Sequence, residues 1–467
     1  MTGQYGLLAP VWADTEAAAA TSDEAVVYAL LHVEAAWAET LAAADLAPEA
    51  SARAVRRLCE DQAVPDAAPI DPRVLAAGGV GGGNPVIPLL GEIRRALADR
   101  GGSDAALHRG ATSQDVLDTA MNLIVRTVAA GITARAIRIC DALAAHAQTH
   151  RGTVCVARSL TRHALPTTFG LRAAGWLDGV REAVSALHRA VESLPLQWGG
   201  AVGTQAALTD RYGSAGASEL TDQLADRLKM PPARPWHTQR QPMLDVGSAL
   251  TGVVAALGKI AGDVLILQRP EIAELAEPAD ASRGGSSAMP QKQNPVLSVL
   301  LRSAADAAPG HLATLFGAAA AAQDERPDGA WHAEWPAVSE LLRLAGGSAV
   351  RADELITGLR VFPDRMRETV DEAGEALLSE RLMQHLSSVL PGGAQAVQEA
   401  VRTSLADGAS LRGLIEAQLR SADPNPDREA VLDALDDLFD PAQYLGRADE
   451  FVDSAVADYQ QIRSAWT

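Results

Sequence analysis

The middle of the sequence has the spacing of apolar residues that is typical of long, packed helices. Between Leu244 and Leu267 the apolar positions alternate at steps of four and three, so they line one narrow face of a helix. This face consists of Val246, Leu250, Val253, Leu257, Ile260, Val264 and Leu267. Four glycines lie in the same segment, and each should cost about 0.5–1 kcal/mol relative to alanine. We therefore expect close helix–helix packing to compensate for them.

Two further segments repeat in the same way, and breaks between such segments suggest domain boundaries. The repeating residues are Leu117, Met121, Ile124 and Val128 in one segment, and Leu220, Leu224 and Leu228 in the other. Stretches rich in glycine and proline interrupt the pattern near residues 78–88, 283–295, 391–393 and 423–427. These features predict an all-α fold built around long helices. We place the boundaries so that an N-terminal helical domain spans 1–105, a central long-helix bundle spans 106–350 and a C-terminal helical domain spans 351–467.

The amino-acid composition favours helices, and the net charge argues against some classes of binding partner. Hydrophobic residues make up 48% of the chain but aromatic residues only 4%, and this mixture favours helices over sheets. The formal net charge is −19, so nucleic acid or an anionic membrane surface would be repelled over most of the molecule. We expect neither as a partner. An anionic small ligand would need positive groups gathered at one place.

The sequence also bears on location and on thiol chemistry. The first twenty residues lack the basic and apolar stretches of a secretory signal, and the apolar segment 244–267 contains three charged residues that a membrane span seldom tolerates. We therefore expect a cytoplasmic protein.

The cysteines are widely scattered without disulfide or metal-ligand spacing, which favours buried, unreactive thiols; they are Cys59, Cys140 and Cys155.

The segment from Gly284 to Pro295 is the first that could support chemistry. It places Ser286, Ser287 and Lys292 ahead of a predicted helix start at Asn294, and the amides of a helix start favour an anion. A carboxylate could bind there. Composition alone favours the simpler interpretation of a glycine-hinged surface loop followed by a helix cap.

Three other segments combine hydroxyl, basic and imidazole groups near chain breaks. Residues 108–115 precede the helix of Leu117, and Thr112 with Asp115 could form an ordinary capping box. Such a cap is compatible with binding a ligand carboxylate. Residues 158–170 and 324–335 each contain histidine and arginine, although single histidines are more often packed than catalytic.

The four segments together resemble the signature regions of the aspartase/fumarase superfamily, in the same order along the chain. They read GSSAMPQKQNP, HRGATSQDVLDTA, RSLTRHALPTTFG and DERPDGAWHAEWP. The set is most similar to the 3-carboxy-cis,cis-muconate cycloisomerase branch, which is related to adenylosuccinate lyase and nitrosuccinate lyase. The resemblance implies a homotetramer with a twenty-helix core and active sites shared by three subunits. It implies no metal and no organic cofactor.

The resemblance also implies roles for individual residues. Ser286 matches the base that removes a proton next to a carboxylate, giving an aci-carboxylate intermediate. The candidate substrate-binding residues are Thr112, Ser113, Gln114, Arg162, Ser287, Lys292, Asn294 and Arg326. Arg162 stands where Gln is usual. Leu160 stands where fumarase has a proton-relaying histidine, so the candidate proton donors are His108 and His163.

Three functions follow as alternatives. The leading one is a lyase or cycloisomerase that acts on a di- or tricarboxylate, most like the interconversion of 3-carboxy-cis,cis-muconate and its lactone. The second keeps the same base but eliminates a substituent from a substituted succinate to give fumarate, as nitrosuccinate lyases do when they release nitrite. The third is an inactive helical scaffold, like the lens-crystallin relatives of the superfamily; the presence of Ser286, Lys292 and Thr112 argues against it.

Overall fold

A computed structural model describes residues 5–280, 283–285, 289, 292–423 and 426–466. Its strands are β1 (Val154–Ser159), β2 (Arg162–Thr168), β3 (Leu275–Ala276) and β4 (Arg360–Val361), and two 3-10 helices span Glu375–Leu378 and Pro441–Gln443. The α-helices are α1 (Glu16–Ala20), α2 (Asp23–Ala43), α3 (Glu49–Gln62), α4 (Pro72–Gly82), α5 (Val86–Asp99), α6 (Ser113–Thr149), α7 (Phe169–Glu192), α8 (Ala206–Leu228), α9 (Gln241–Leu267), α10 (Val296–Ala320), α11 (Gly329–Thr357), α12 (Pro363–Ala373), α13 (Ser379–Leu386), α14 (Gly393–Asp407), α15 (Leu411–Ser421), α16 (Pro426–Asp433), α17 (Leu435–Leu438) and α18 (Ala448–Arg463). The predicted all-α class is confirmed.

The long helices have the apolar faces that the sequence predicts. All seven apolar positions of α9 are buried, as are the repeating residues of α6 and α8. Two of the α9 glycines mark close approaches: a Cβ at Gly247 would overlap Leu315 of α10, and one at Gly258 would overlap the methyl group of Ala305. Tight packing therefore compensates for these glycines, as expected.

The chain divides into two compact units, each assembled from separate stretches of sequence. The first unit contains residues 1–136, 182–258 and 299–353, and the second contains residues 137–181, 259–298 and 354–467. The division cuts through the long helices, so the proposed boundaries near 106 and 350 stay a prediction.

In the first unit, α2 provides the packing surface beneath the loop that precedes α6. Ser22 caps the start of α2, where its hydroxyl accepts a hydrogen bond from the amide of Ala25. Further along α2, Trp37 is fully buried beside Trp198, with ring centroids 4.9 Å apart. The Trp37 Nε1–H donates to the carbonyl of Arg109 at 2.8 Å. This bond anchors the loop to the core.

In the second unit, a β-hairpin packs against α12. Strands β1 and β2 pair antiparallel, and Ser159 opposite Arg162 closes a two-residue turn. Both turn residues, Leu160 and Thr161, have positive φ values of 48° and 69°. A two-residue turn with positive φ at both positions follows the right-handed twist of the strands, but it is unusual for residues other than glycine and asparagine. Leu160 is 93% exposed at the tip.

Two helices are long and apolar enough to cross a membrane by length and composition alone, and both fit the core of a soluble protein. They are α2 and α9. The centre of α2 is buried inside the first unit, where it also holds the charged residue Glu34. Burial of an apolar helix within the protein accounts for its hydropathy without a membrane.

The three cysteines are free and buried, as the sequence indicates. Burial raises the pKa of the Cys59 and Cys155 thiols to about 11, and it raises that of Cys140 as well. Thiolate is the reactive form of cysteine, so these side chains are unreactive near neutral pH.

We expect Gly258→Ala to destabilise the chain. The added methyl group overlaps Ala305. Overpacking costs about 1–3 kcal/mol against a gain in helix propensity of about 1 kcal/mol, so the free energy of unfolding should fall by up to about 2 kcal/mol. Urea denaturation measures the change. Gly91→Ala in α5 is the matched control, because a Cβ there meets no atom within 4 Å, and it should stabilise the chain. Equal effects of the two substitutions would contradict the close approach.

Candidate active site

The predicted site residues fall into two groups, one in each unit. The first unit contains His108, Thr112, Ser113, Gln114 and Arg326, and the second contains Arg162, His163, Lys292 and Asn294. Ser286 and Ser287 lie outside the described residues.

In the first unit, the residues before α6 form a tight turn. His108 has a positive φ of 52° and Gly110 one of 70°. A Cβ at Gly110 would lie 2.5 Å from Leu208 Cδ2, so only glycine fits between this turn and α8. Thr112 then stands at the start of α6, and its amide donates to Asp115 Oδ2 at 3.0 Å. This bond is the backward half of the predicted capping box.

The carboxylate of Asp115 is the centre of the hydrogen bonds around this turn, and it is fully buried. Oδ1 accepts from the Gly199 amide at 2.7 Å, and Oδ2 accepts from the Gly200 amide at 2.9 Å. His237 Nε2 lies 3.3 Å from Oδ1. Backbone amides and an imidazole therefore stabilise the buried charge. They also join residues 199–200 and 237 to the start of α6.

One turn further along α6, Asp118 belongs to a buried ion cluster. Arg240 lies between two carboxylates: its Nη1 donates to Asp118 Oδ2 at 2.7 Å, and its Nη2 donates to Glu334 Oε2 at 2.7 Å. Trp331 Nε1–H adds a bond to Asp118 Oδ1 at 2.8 Å. Burial would lower the pKa of Arg240, but the two carboxylates raise it overall, so the guanidinium stays charged. Burial raises the pKa of Glu334 despite the arginine.

Gln114 is directed into this network rather than toward solvent. Its side chain is fully buried, and its Nε2–H groups donate to the carbonyl of His237 at 2.9 Å and to Asp118 Oδ2 at 3.2 Å. The predicted substrate contact of Gln114 stays a prediction. In the described residues its amide group joins the Asp115 and Asp118 networks.

Arg326 and Thr112 are brought together although 214 positions separate them in the chain. Arg326 Nη1 donates to Thr112 Oγ1 at 3.0 Å. The partly buried guanidinium thus lies beside the N-terminus of α6, next to Ser113. A cation, hydroxyl groups and a helix N-terminus in one place form a suitable binding surface for a carboxylate.

His108 forms a dyad with Glu34 of α2. His108 Nδ1 lies 2.6 Å from Glu34 Oε1, and the His108 amide donates to Glu34 Oε2 at 3.2 Å. Burial by itself would lower the pKa of His108, but the hydrogen bond and the charge of Glu34, with a smaller contribution from Asp115, raise it overall. The imidazolium form is therefore favoured to a higher pH than in an exposed histidine.

In the second unit, Arg162 and His163 begin β2, and both are exposed beside the hairpin turn. The neighbouring Arg158 faces inward, and its Nη2 donates to the buried carboxylate of Glu274 at 2.8 Å. The hairpin thus has one arginine committed to structure, Arg158 on β1, and another at the surface, Arg162 on β2. Only the surface residue is free to meet a ligand.

The start of α10 differs from the predicted cap. The helix begins at Val296, and the carboxylate of Glu277 accepts from the amides of Leu297 at 3.2 Å and Ser298 at 2.7 Å. Asn294 instead donates through Nδ2 to the carbonyl of Gly284 at 3.0 Å, and its amide donates to the same oxygen at 2.8 Å. An internal carboxylate therefore occupies these two helix amides, while the substrate contacts of Lys292 and Asn294 stay predictions. Lys292 is exposed in the loop.

Sequence reasoning missed several residues that support the site. They are Glu34, Gly199, Gly200, His237 and Arg240. Two signals were available: a lone acidic residue in the apolar sequence ALLHVEAAW of α2, and the paired glycines after Trp198. No local sequence pattern indicates the contact between Asp115 and His237, because more than a hundred residues separate the two.

Comparisons with known proteins find lyases and cycloisomerases that are similar to this chain. A family model described as lyase matches residues 11–310. The chain is 43% identical to nitrosuccinate lyase from Streptomyces davaonensis, covering 97% of this chain and 94% of the relative. It is 35% identical to 3-carboxy-cis,cis-muconate cycloisomerase from Bradyrhizobium diazoefficiens, covering 96% of each. The crystal structure of the 3-carboxy-cis,cis-muconate lactonizing enzyme from Pseudomonas putida matches with a TM-score of 0.85 and 31% identity, covering 98% of this chain and 99% of that one.

We expect Asp115→Asn to destabilise the first unit. The amide removes the negative charge and offers one acceptor oxygen in place of two, which leaves a buried backbone N–H without a partner. Each such loss costs about 1–3 kcal/mol, and thermal unfolding measures it. Asp371→Asn on the exposed surface of α12 is the control and should change the free energy of unfolding by less than about 0.5 kcal/mol. A variant at 115 as stable as this control would show that the carboxylate is not the anchor of the turn.

Proposed function

The chain belongs to the aspartase/fumarase superfamily of lyases and cycloisomerases, and from this premise we propose how its residues act on a di- or tricarboxylate. Ser286, as the alkoxide, takes the proton from the carbon next to a substrate carboxylate. The charge moves onto the carboxylate oxygens, which gives an aci-carboxylate. Collapse of that intermediate forms a carbon–carbon double bond and expels a group from the neighbouring carbon with its bonding electrons.

The pairing of Arg326 with Thr112 is the observation on which this proposal depends. Removal of the proton concentrates negative charge on a carboxylate, so the reaction requires positive groups aimed at that position. Arg326, Thr112 and the start of α6 provide such groups in the first unit. Lys292 is exposed in the second unit. We propose that it stabilises the Ser286 alkoxide, because a nearby cation lowers the pKa of a hydroxyl.

We further propose that the two groups of residues meet across the subunits of a cytoplasmic homotetramer, with each active site built from three chains. Exposed apolar side chains on α10, Val299 and Phe316, support self-association, since large apolar groups at a surface favour burial against another chain. Analytical ultracentrifugation measures the assembly.

Two substrates are candidates, and a specific observation favours each. The higher identity to nitrosuccinate lyase favours a substituted succinate: the C–H bond breaks to Ser286, the C–N bond breaks to release nitrite, and fumarate remains. The exposed Arg162 could bind the nitro group. The structural match to the lactonizing enzyme favours 3-carboxy-cis,cis-muconate, where the ring C–O bond of the lactone takes the place of C–N. Proton removal next to a carboxylate is common to both.

We expect purified protein to turn over one of these substrates. Nitrite and fumarate are measured with nitrosuccinate, and the loss of muconate absorbance is measured with 3-carboxy-cis,cis-muconate. Ser286→Ala should lower kcat by about 10²–10⁴-fold, the usual contribution of a general base, while Ser454→Ala on the exposed face of α18 leaves it unchanged. Full activity of the Ser286 variant would disprove its role as the base. A wild-type protein inert toward both substrates would disprove the substrate assignment.

We expect Arg326→Gln to weaken substrate capture. A charged hydrogen bond contributes about 1.5–3 kcal/mol, so kcat/KM should fall by about 10- to 100-fold. Arg367→Gln on α12 is the matched control, because that arginine is exposed and pairs with Asp371 at the surface. Steady-state kinetics on both variants checks the prediction, and an unchanged kcat/KM for the Arg326 variant would mean that the substrate carboxylate binds elsewhere.

A further inference from the structure

Glu34, the partner of the candidate proton donor His108, goes beyond the residues that the superfamily resemblance implies. Glu34 lies in the middle of α2 and is fully buried in the first unit. Both of its carboxylate oxygens face one residue: Oε1 lies 2.6 Å from His108 Nδ1, and Oε2 accepts the His108 amide at 3.2 Å. A carboxylate that is buried without an arginine or lysine partner is costly. Its two bonds to His108 offset that cost.

The two bonds fix the ring and the backbone of His108 together. His108 has a positive φ of 52°, a strained conformation for a residue with a side chain, and the bond from its amide to Glu34 helps to hold it. Because Nδ1 is bonded to the carboxylate, Nδ1 carries the hydrogen. Nε2 is left as the second functional atom of the ring. Among the described residues no hydrogen-bond partner is found for Nε2, and the side chain is 16% exposed.

The charges around the ring come from three elements. Glu34 of α2 and Asp115 of α6 favour the imidazolium, while Arg94 of α5 opposes it. Glu34 is in direct contact with the ring, so its effect exceeds the other two. The positive charge lies four residues before Thr112, and thus close in sequence to the start of α6 at which Arg326 is held.

We propose that Glu34 is a positioning residue for the reaction: it orients His108 so that Nε2–H of the imidazolium faces the substrate as a proton donor. This inference depends on the proposed function. In the elimination, Nε2–H donates to the group that departs with its bonding electrons, or to the carboxylate that becomes the aci-carboxylate. Glu34 itself touches no substrate, because it is buried beneath the ring.

The ionisation of His108 can be measured without any substrate. Deuterium exchange at the imidazole Cε1–H depends on the protonation state, and mass spectrometry of the peptide bearing His108 gives its pKa in the whole protein. We expect a value above about 6.5, the ordinary value of histidine. His32 and His150 are internal controls, because burial and nearby positive charge lower the pKa of His32, and burial and His146 lower that of His150. A pKa of His108 at or below those of His32 and His150 would overturn the proposal, whether or not any substrate is turned over.

The variant Glu34→Gln tests whether Glu34 controls the pKa of His108 and whether His108 acts in the reaction. It keeps an acceptor for Nδ1–H but removes the charge, so the pKa of His108 should fall by about 1–3 units. The alkaline limb of the pH profile of kcat should move to lower pH in the same direction, because the protonated histidine is lost earlier. Glu39→Gln is the matched control on the same helix, since Glu39 binds Arg56 and Arg227 instead; it should leave both quantities unchanged.

The outcomes separate the two proposals. A lowered pKa of His108 together with a shifted pH profile supports the dyad. A lowered pKa with an unshifted profile shows that His108 is not the donor, and a fall in melting temperature with no change in either quantity shows that Glu34 is purely structural; both results overturn the inference. Failure of the wild-type enzyme to act on either substrate would refute the proposed function, and the exchange measurement would still decide whether Glu34 controls the ionisation of His108.

Discussion

The buried carboxylate of Asp115 is the constraint on which the first-unit site depends. A buried carboxylate must receive several hydrogen bonds. Asp115 receives one from the neighbouring amide of Thr112 and the others from residues that are distant in sequence: the amides of Gly199 and Gly200, and the ring of His237. Satisfying one charge therefore fixes the start of α6. The position of Thr112, and with it the bond to Arg326, follows from this arrangement.

The general architecture could be predicted from the sequence because it depends on local periodicity. The apolar positions of α9 lie at helical spacing, and the same positions are buried in the structure. The glycines at 247 and 258 also followed from a local argument, since their cost in a helix requires close packing. The hairpin of β1 and β2 was not predicted. Its turn residues, Leu160 and Thr161, have none of the sequence preferences of a two-residue turn.

The site was only partly predictable, because much of it depends on pairs of residues far apart in the chain. Thr112 and Arg326 were each identified from a resemblance, but their hydrogen bond required the fold. Asn294 shows the opposite case. Its place before a helix suggested a cap, whereas the carboxylate of Glu277, distant by only seventeen positions, takes the helix amides. A local pattern cannot show which of several acceptors will reach a helix end, since that depends on where the neighbouring chain passes.

A binding site for a polyanion in a chain of net charge −19 requires that its own buried acids be neutralised locally. Among the described residues of the first unit, four buried acids lie near the start of α6, and they have three sets of partners: Asp115 has backbone amides and His237, Asp118 and Glu334 share Arg240, and Glu34 has His108. Arg240 is not available to bind an anionic ligand, because two carboxylates enclose its guanidinium. Arg326 is bonded to a neutral hydroxyl instead, so its charge remains available. His108 lies between these two cases. Glu34 bonds to Nδ1 of the ring, and Nε2 remains available for a ligand. The acids near α6 thus determine which cations stay structural and which can meet an anionic substrate.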